Sequence, residues 1–165
     1  MDEPIKIERN ALDILEAIVS LSCLVGVTAY LILAWNTIPA KIPAHYNAAG
    51  EVNRWGSKSE LILLPIVSWM LFGMITLIER FPQVWNTGVR ITEENRTVVY
   101  RLLKNLIAWV KMITLSIFGS LTVISSLRLN LPIWFLLVFL VLLFGIIAYY
   151  IVRLTRLRND YPMES

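Results

Sequence analysis

His45 is the only histidine of the chain and lies in a polar connection between two long apolar stretches. Asn47 and Glu51 follow closely, so the three side chains could bind a ligand or accept a proton. Zinc sites usually take three or four nitrogen, sulfur or carboxylate ligands, whereas only His45, one carboxylate and the distant Cys23 are offered here. We therefore expect no metal ion and no cofactor. In the alternative interpretation, His45 and Asn47 hydrogen-bond the loop backbone and fix the turn to Gly50.

Other patterns for catalysis are missing from the sequence. A serine or cysteine nucleophile needs a base and an orienting group within reach, and no plausible nucleophile lies near His45. Glu51 and Glu60 are the remaining acid–base pair, nine positions apart. No phosphate-binding glycine loop and no His-Glu-x-x-His pattern occurs. No residue is assigned a catalytic role, and we expect a protein that is not an enzyme.

Two ionisable residues, Glu16 and Lys111, lie within apolar stretches. Charges inside a membrane span are costly and often paired, so they are candidates for function. An ion pair between the two is one interpretation. In the other, the Lys111 side chain reaches toward the membrane surface while Glu16 faces the headgroups. A small transporter or channel subunit that uses both residues is the alternative function.

The composition indicates a membrane protein. Hydrophobic residues make up 57% of the 165 residues and charged residues 16%, with a mean hydropathy of +0.66, whereas soluble domains are about 25% charged. Disulfide-stapled, disordered and collagen-like classes are excluded. We predict an all-α, four-transmembrane-helix bundle that forms a single domain over residues 1–165. The predicted helices cover about 12–35, 58–79, 93–127 and 131–156.

Local signals set these helix boundaries. Ser57 and Glu60 form a predicted capping box before the second helix. Thr92 is the predicted cap of a third helix of about 35 residues, which is longer than the bilayer requires. Asn130 and Pro132 open the fourth helix, with the proline in its first turn.

The distribution of positive charge predicts the orientation. Of the 15 lysines and arginines, ten lie at the two termini and in the second connection, and four lie in the first and third connections. The positive-inside rule then places both termini in the cytoplasm. Three cations at the start of the third helix could contact lipid phosphates or a cytoplasmic protein; they are Arg96, Arg101 and Lys104.

The first connection, residues 36–60, is predicted to form an ordered extracellular cap. Each of two Ile-Pro pairs forces extended backbone before its proline, and residues 47–50 have turn composition. We expect this cap to bind an extracellular peptide or a lipid headgroup. The candidate ligand-binding residues are His45, Tyr46, Asn47, Gly50, Glu51, Arg54, Trp55 and Lys58.

Two motifs carry a resemblance to a known family. The segments Pro43–Gly50 (PAHYNAAG) and Trp55–Lys58 (WGSK), followed by a helix with Pro65, resemble the bacterial domain of unknown function 1648, found in the N-terminal part of SdpI-type immunity proteins. Residues 86–95 (NTGVRITEEN) are similar to the usual connection into the family's third helix. The resemblance covers about Ala29 to Leu115.

This resemblance implies resistance to an extracellular toxic peptide and the anchoring of a cytoplasmic protein at the membrane. The expected location is a bacterial cell membrane, which the chain crosses several times. Membrane lipids are the expected partners, an extracellular peptide and a cytoplasmic protein are further candidates, and nucleic acid is not expected. The oligomeric state stays open.

Overall fold

Four long helices dominate the part of the chain that the structure describes. A computed structural model describes residues 7–160, without the side chains of residues 159 and 160. The helices are α1 (Ala11–Ala34), α2 (Leu63–Glu79), α3 (Arg96–Ser126) and α4 (Trp134–Asp160). Each is long and apolar enough to cross a membrane when α2 is taken with the 3-10 turn before it. The predicted all-α polytopic bundle is confirmed, while the outermost residues of the predicted domain lie outside the described residues.

Capping boxes begin the first two membrane segments. At α1, the Asp13 amide donates to Asn10 Oδ1 at 3.0 Å, and the Asn10 amide donates back to Asp13 Oδ2 at 2.8 Å. The predicted box of Ser57 and Glu60 is also present, but it begins a 3-10 turn, Lys58–Ile62, that leads into α2. These boxes satisfy amides that have no partner within the helix.

α3 begins later than predicted, at Arg96, and has 31 residues. Asn95 is the reason: its Oδ1 accepts from the Thr92 amide at 2.9 Å, and its Nδ2 donates to the Arg90 carbonyl at 2.9 Å. These bonds hold residues 93–95 in a turn rather than in the helix. At 1.5 Å per residue, α3 is still about 46 Å long, which exceeds the roughly 30 Å of hydrocarbon.

α4 also begins later than predicted, at Trp134, two residues after Pro132. Asn130 does not cap this helix, because its Oδ1 accepts a hydrogen bond from the Val52 amide at 3.3 Å. The Leu131 amide likewise donates to the Gly50 carbonyl at 2.8 Å. The residues before α4 are therefore hydrogen-bonded to the connection between α1 and α2.

α3 is the central helix of the bundle. It packs against α1, α2 and α4, while α2 and α4 make no extensive contact with each other in the described part of the chain. Gly119 allows α1 close to α3, since a Cβ there would lie 2.6 Å from Cys23 Sγ. The outer face of α4 is apolar and exposed, as expected of a surface that lipid covers.

The first connection contains an antiparallel hairpin that the sequence analysis did not predict as strands. Its strands are β1 (Lys41–Tyr46) and β2 (Val52–Ser57), and the register is irregular around His45. The predicted extended backbone before Pro43 is part of β1. Gly56 permits the pairing, because a Cβ there would lie 2.7 Å from the Ala44 Cβ across the strands.

The elements define two ends of the bundle. The hairpin end contains the hairpin and the α3–α4 connection, residues 127–133. The basic end contains the start of α1, the α2–α3 connection (residues 80–95) and the last turns of α4. Glu16, Glu79 and Lys111 lie between them, nearer the basic end.

Candidate functional site

Asn47 organises the tip of the hairpin. Its Oδ1 accepts from the amides of Ala49 and Glu51 at 3.0 and 2.9 Å, and its Nδ2 donates to Glu51 Oε2 at 3.0 Å. The Asn47 carbonyl also accepts from the Gly50 amide at 2.9 Å. A short polar side chain that bonds the following backbone is the usual way to fix such a turn. The structural interpretation of Asn47 is therefore supported.

The tip is joined to the α3–α4 connection by backbone contacts at Gly50. Gly50 has φ +84°, and a Cβ there would lie 2.3 Å from the Leu131 carbonyl oxygen. The left-handed backbone and the close approach both require glycine. The Gly50 carbonyl accepts from the Leu131 amide, and the Val52 amide donates to Asn130 Oδ1.

The hairpin also has an apolar anchor in the bundle. Ile42 and Leu61 are each 2% exposed and form a cluster with Leu31 of α1 and Ile38. Burying an aliphatic side chain contributes about 1.5–3 kcal/mol. The first connection is thus an ordered cap rather than a flexible linker.

Tyr46 attaches β1 to the end of α3. Its hydroxyl donates to the Leu129 carbonyl at 3.1 Å and lies 3.2 Å from Ser125 Oγ. Burial raises the pKa of Tyr46 above its ordinary value, although the hydrogen bond with Ser125 opposes this shift. The hydroxyl is therefore a neutral structural group at physiological pH.

A cavity of about 400 Å³ lies beneath the hairpin. β1 covers it, the start of α2 and the first turns of α4 flank it, and the second half of α3 contributes its floor. Because α2 and α4 do not pack extensively on each other, the space between them is not filled by side chains. Most of the lining is apolar, and three phenylalanines contribute to it: Phe118, Phe135 and Phe139.

The same cavity has a polar rim at the hairpin. Arg54 donates to Glu60 Oε2 at 3.1 Å and to the Ala44 carbonyl at 3.2 Å, and both charged side chains remain partly exposed. His45 Nδ1 lies 2.6 Å from Asn53 Oδ1 and the ring is exposed. The site thus combines an apolar interior with a cation, a carboxylate and an imidazole at one edge. We call it the hairpin cavity.

The structure brings together five of the eight residues predicted to bind a ligand. His45, Tyr46, Asn47, Gly50 and Arg54 all line the hairpin cavity.

The other three predicted residues lie elsewhere on the cap. Glu51 belongs to the turn bonded by Asn47. Trp55 is 47% exposed and stacks with Arg128, whose Cζ lies 4.9 Å from the ring centroid. Lys58 donates from Nζ to the Trp35 carbonyl at 3.0 Å and covers its ring.

Sequence reasoning missed most of the cavity lining. Residues such as Leu64, Phe118 and Phe139 have no pattern that separates them from lipid-facing residues of a membrane helix. Asn53, the partner of His45, could not be inferred from strand pairing either, because the register is irregular around His45 and aligns His45 with Arg54. Glu60 was assigned only to the helix cap and to a weak acid–base pair, yet it also pairs with Arg54.

The intramembrane charges form a second cluster, which joins three helices. Lys111 Nζ lies 3.1 Å from Glu16 Oε1 and 2.7 Å from Glu79 Oε2, and the Lys111 side chain is 2% exposed. Ser20 donates to Glu16 Oε1 at 2.8 Å, and Lys111 also reaches Thr76 Oγ1 at 3.4 Å. The ion pair of Glu16 and Lys111 therefore exists, and Glu79 is a third member that the sequence analysis did not include.

Two of the three cations predicted to contact a cytoplasmic partner are bound within the protein. Arg101 and Lys104 donate to Asp13 Oδ2 at 3.0 and 3.2 Å, and both side chains are mostly buried. Arg96 lies at the start of α3 and is partly buried. The pairing with Asp13 explains how Arg101 and Lys104 are held against α1.

The described part of the chain contains no group of three or more histidine, cysteine, aspartate or glutamate side chains that could hold a metal ion. His45 has an amide partner, Asn53, rather than a carboxylate or thiolate.

Part of the chain is similar to a known family. Residues 23–68 match the model of a domain of unknown function (DUF1648). The matched segment contains the second half of α1, the hairpin and the first turns of α2, and therefore the polar rim of the hairpin cavity. The resemblance of the α2–α3 connection stays a prediction.

A relative from an archaeon extends the comparison. The chain is 34% identical over 82 residues to an uncharacterized protein of Archaeoglobus fulgidus, a match that covers 41% of this chain and 45% of the relative. The chain thus spans less than half the length of that relative. No solved structure matches the chain.

Proposed function

We propose that this integral membrane protein is a non-enzymatic binding protein whose hairpin cavity takes a lipid-like amphiphile. The observation that carries the proposal is the cavity of about 400 Å³ with an apolar interior and a polar rim. Ligand sites commonly have this construction, with hydrophobic walls and a few placed polar groups. An acyl chain would lie against α3 and α4, and the headgroup would lie at the hairpin.

The rim supports a role in selecting the headgroup. Arg54 and Glu60 offer a cation and an anion 3.1 Å apart, both partly exposed. His45 can donate or accept at its ring nitrogens. Such a set suits a polar head with a phosphate or carboxylate group, because a guanidinium pairs well with either.

The test is crosslinking by a photoreactive fatty acid to the full-length protein in detergent micelles. Leu136 lines the hairpin cavity, whereas the next residue, Leu137, does not line it and is 64% exposed. Leu136→Trp should fill the cavity and lower crosslinking at least about fivefold, a loss of about 1 kcal/mol. Leu137→Trp is the matched control and should leave crosslinking unchanged.

Equal crosslinking of the two tryptophan variants would contradict the proposal. A change at the rim supplies a second criterion. Arg54→Gln should weaken binding of the fatty acid carboxylate more than binding of the corresponding photoreactive alcohol, because only the carboxylate can pair with the guanidinium.

A more specific form of this proposal is that the protein gives the cell immunity to a toxic peptide. It requires the amphiphile to be a toxic peptide that reaches the membrane from outside the cell and whose apolar side chains occupy the hairpin cavity. Cells that express the protein would then survive the peptide, and Leu136→Trp would remove that protection while Leu137→Trp would keep it. Survival that is equal with and without the protein would leave lipid-like binding as the function.

A second candidate function, a small transporter or channel subunit, is favoured by the buried Lys111 cluster. Ionisable residues inside a membrane protein frequently belong to ion or proton pathways. Reconstituted vesicles under a proton or sodium gradient would test it. Flux that disappears with Glu79→Gln would support transport, whereas absence of flux above that of empty vesicles would reject it.

A further inference from the structure

A second cavity lies at the basic end of the bundle. Its volume is about 360 Å³, and it lies between the α2–α3 connection, the start of α3 and the last turns of α4. We call it the basic-end cavity. It is distant from the hairpin cavity, because α3 and α4 each run from one end of the bundle to the other.

The lining of the basic-end cavity changes from apolar to polar along α4. Ile151, Leu154 and Arg158 all line it, and their spacing places them on one face of the helix. Arg158 lies about 10 Å beyond Ile151 along the helix axis, at 1.5 Å per residue. Leu103 and Leu106 of α3 extend the apolar part.

The α2–α3 connection contributes polar groups to the same cavity. Asn86 and Thr87 line the cavity. Asn86 Oδ1 accepts from the Gly88 amide at 3.1 Å, and Thr87 Oγ1 donates to the Val89 carbonyl at 2.9 Å. These bonds fix both side chains, so the amide nitrogen of Asn86 is a further donor held in the cavity lining.

The charge of this end favours an anion. Residues 80–104 and 153–158 together carry eight lysines and arginines and two glutamates. Asp13 offsets part of this charge by pairing with Arg101 and Lys104. Arg158 and the nearby Arg153 and Arg156 lie on the exposed end of α4.

We propose that the basic-end cavity binds an anionic phospholipid, with one acyl chain against α3 and α4 and the phosphate at Arg158. The order of the lining, aliphatic side chains and then a guanidinium at the helix end, is the order of chain and phosphate in a lipid leaflet. Basic pockets between membrane helices bind anionic headgroups in this way. This inference does not depend on the ligand of the hairpin cavity.

The test is native mass spectrometry of the full-length protein in non-ionic detergent, with equal amounts of phosphatidylglycerol and phosphatidylcholine. Arg158→Gln should lower the preference for phosphatidylglycerol about tenfold, the effect of one lost charge-assisted hydrogen bond. Arg156→Gln removes the same charge two residues earlier, outside the cavity lining. This control should change the preference by less than about twofold.

A second variant tests the apolar part of the site. Thr155 is exposed and lines the basic-end cavity, so Thr155→Phe should fill the space without disturbing the core. It should lower retention of phosphatidylglycerol, and this loss should not add to that of Arg158→Gln in the double variant, because both changes act on the same bound lipid.

Two results would overturn the proposal. Equal loss in Arg158→Gln and Arg156→Gln would mean that diffuse charge, rather than a site, attracts the lipid. Displacement of phosphatidylglycerol by millimolar inorganic phosphate would mean that a simple anion is the ligand and that the acyl chain contributes nothing.

Discussion

Gly50 couples two parts of the chain that are far apart in sequence. Its carbonyl accepts a hydrogen bond from the Leu131 amide. Because glycine has no Cβ, the two backbones can approach closely enough to form this bond. A second glycine with positive φ, Gly88, has φ +62° but has open space where a Cβ would lie. Comparing alanine substitutions at the two positions therefore separates the energetic cost of backbone strain from the cost of steric contact.

Gly50→Ala should destabilise the protein by about 2–4 kcal/mol, because left-handed backbone costs a non-glycine residue about 1–2 kcal/mol and the Cβ contact adds an overpacking cost. Gly88→Ala should cost only about 1–2 kcal/mol. Unfolding in detergent, followed by circular dichroism, would measure both. An equal loss at the two positions would show that the contact of Gly50 with Leu131 does not form.

Residue types near the cap were predictable, but their partners were not. The turn composition of residues 47–50 correctly indicated that Asn47 bonds backbone amides. The partner of Asn130 could not be inferred from the sequence. An asparagine before a helix can cap that helix, and it can equally accept a hydrogen bond from a distant strand. Sequence position favours the local partner, and here the distant one is bound.

The Lys111 cluster joins α1, α2 and α3. A single ammonium faces two carboxylates, Glu16 and Glu79, from different helices. Removing one partner of a buried ion pair leaves an uncompensated charge, whereas removing the whole set together is far less costly. The cluster therefore makes the relative positions of the three helices depend on one side chain.

Lys111→Met should lower the free energy of unfolding by about 3–5 kcal/mol. The triple variant Lys111→Met, Glu16→Gln, Glu79→Gln should regain a large part of that loss, since no net charge remains buried. Thermal unfolding of the purified proteins in one detergent would compare them. A triple variant less stable than the single one would contradict this account of the cluster.

The presence of the four helices could be predicted from hydropathy. The residues at which they begin could not, because these depend on individual side-chain hydrogen bonds. Four apolar stretches determined the four spans, because the bilayer requires a minimum length. α3 and α4 each begin about three residues later than the approximate predicted starts, since Asn95 and Asn130 bind groups outside the helix they precede. The hairpin strands were missed because two Ile-Pro pairs and a short turn give only a weak strand pattern.

The charged residues distinguish the two ends of the bundle. The basic end holds most of the cations, and the hairpin end holds the cap. The positive-inside rule predicts that the basic end faces the cytoplasm and the hairpin end faces outward.

Cysteine labelling would test this orientation. Ala48 at the hairpin tip and Glu93 in the α2–α3 connection are both exposed, and Cys23, the chain's single cysteine, can be replaced by alanine. In intact cells, a membrane-impermeant maleimide should label Ala48→Cys and should label Glu93→Cys only after permeabilisation. The reverse pattern would invert the topology and would place the hairpin cavity at the inner leaflet.

The attachment of the hairpin at both of its sides has a kinetic consequence. β2 continues directly into the turn before α2, and the tip is bonded to Leu131 and Asn130, so the roof of the cavity cannot swing away without breaking those bonds. A guest would then arrive laterally, between α2 and α4, after dissolving in the bilayer. Its rate of capture would depend on its concentration in the membrane, so a strongly partitioning compound would enter the protein quickly even at a low aqueous concentration.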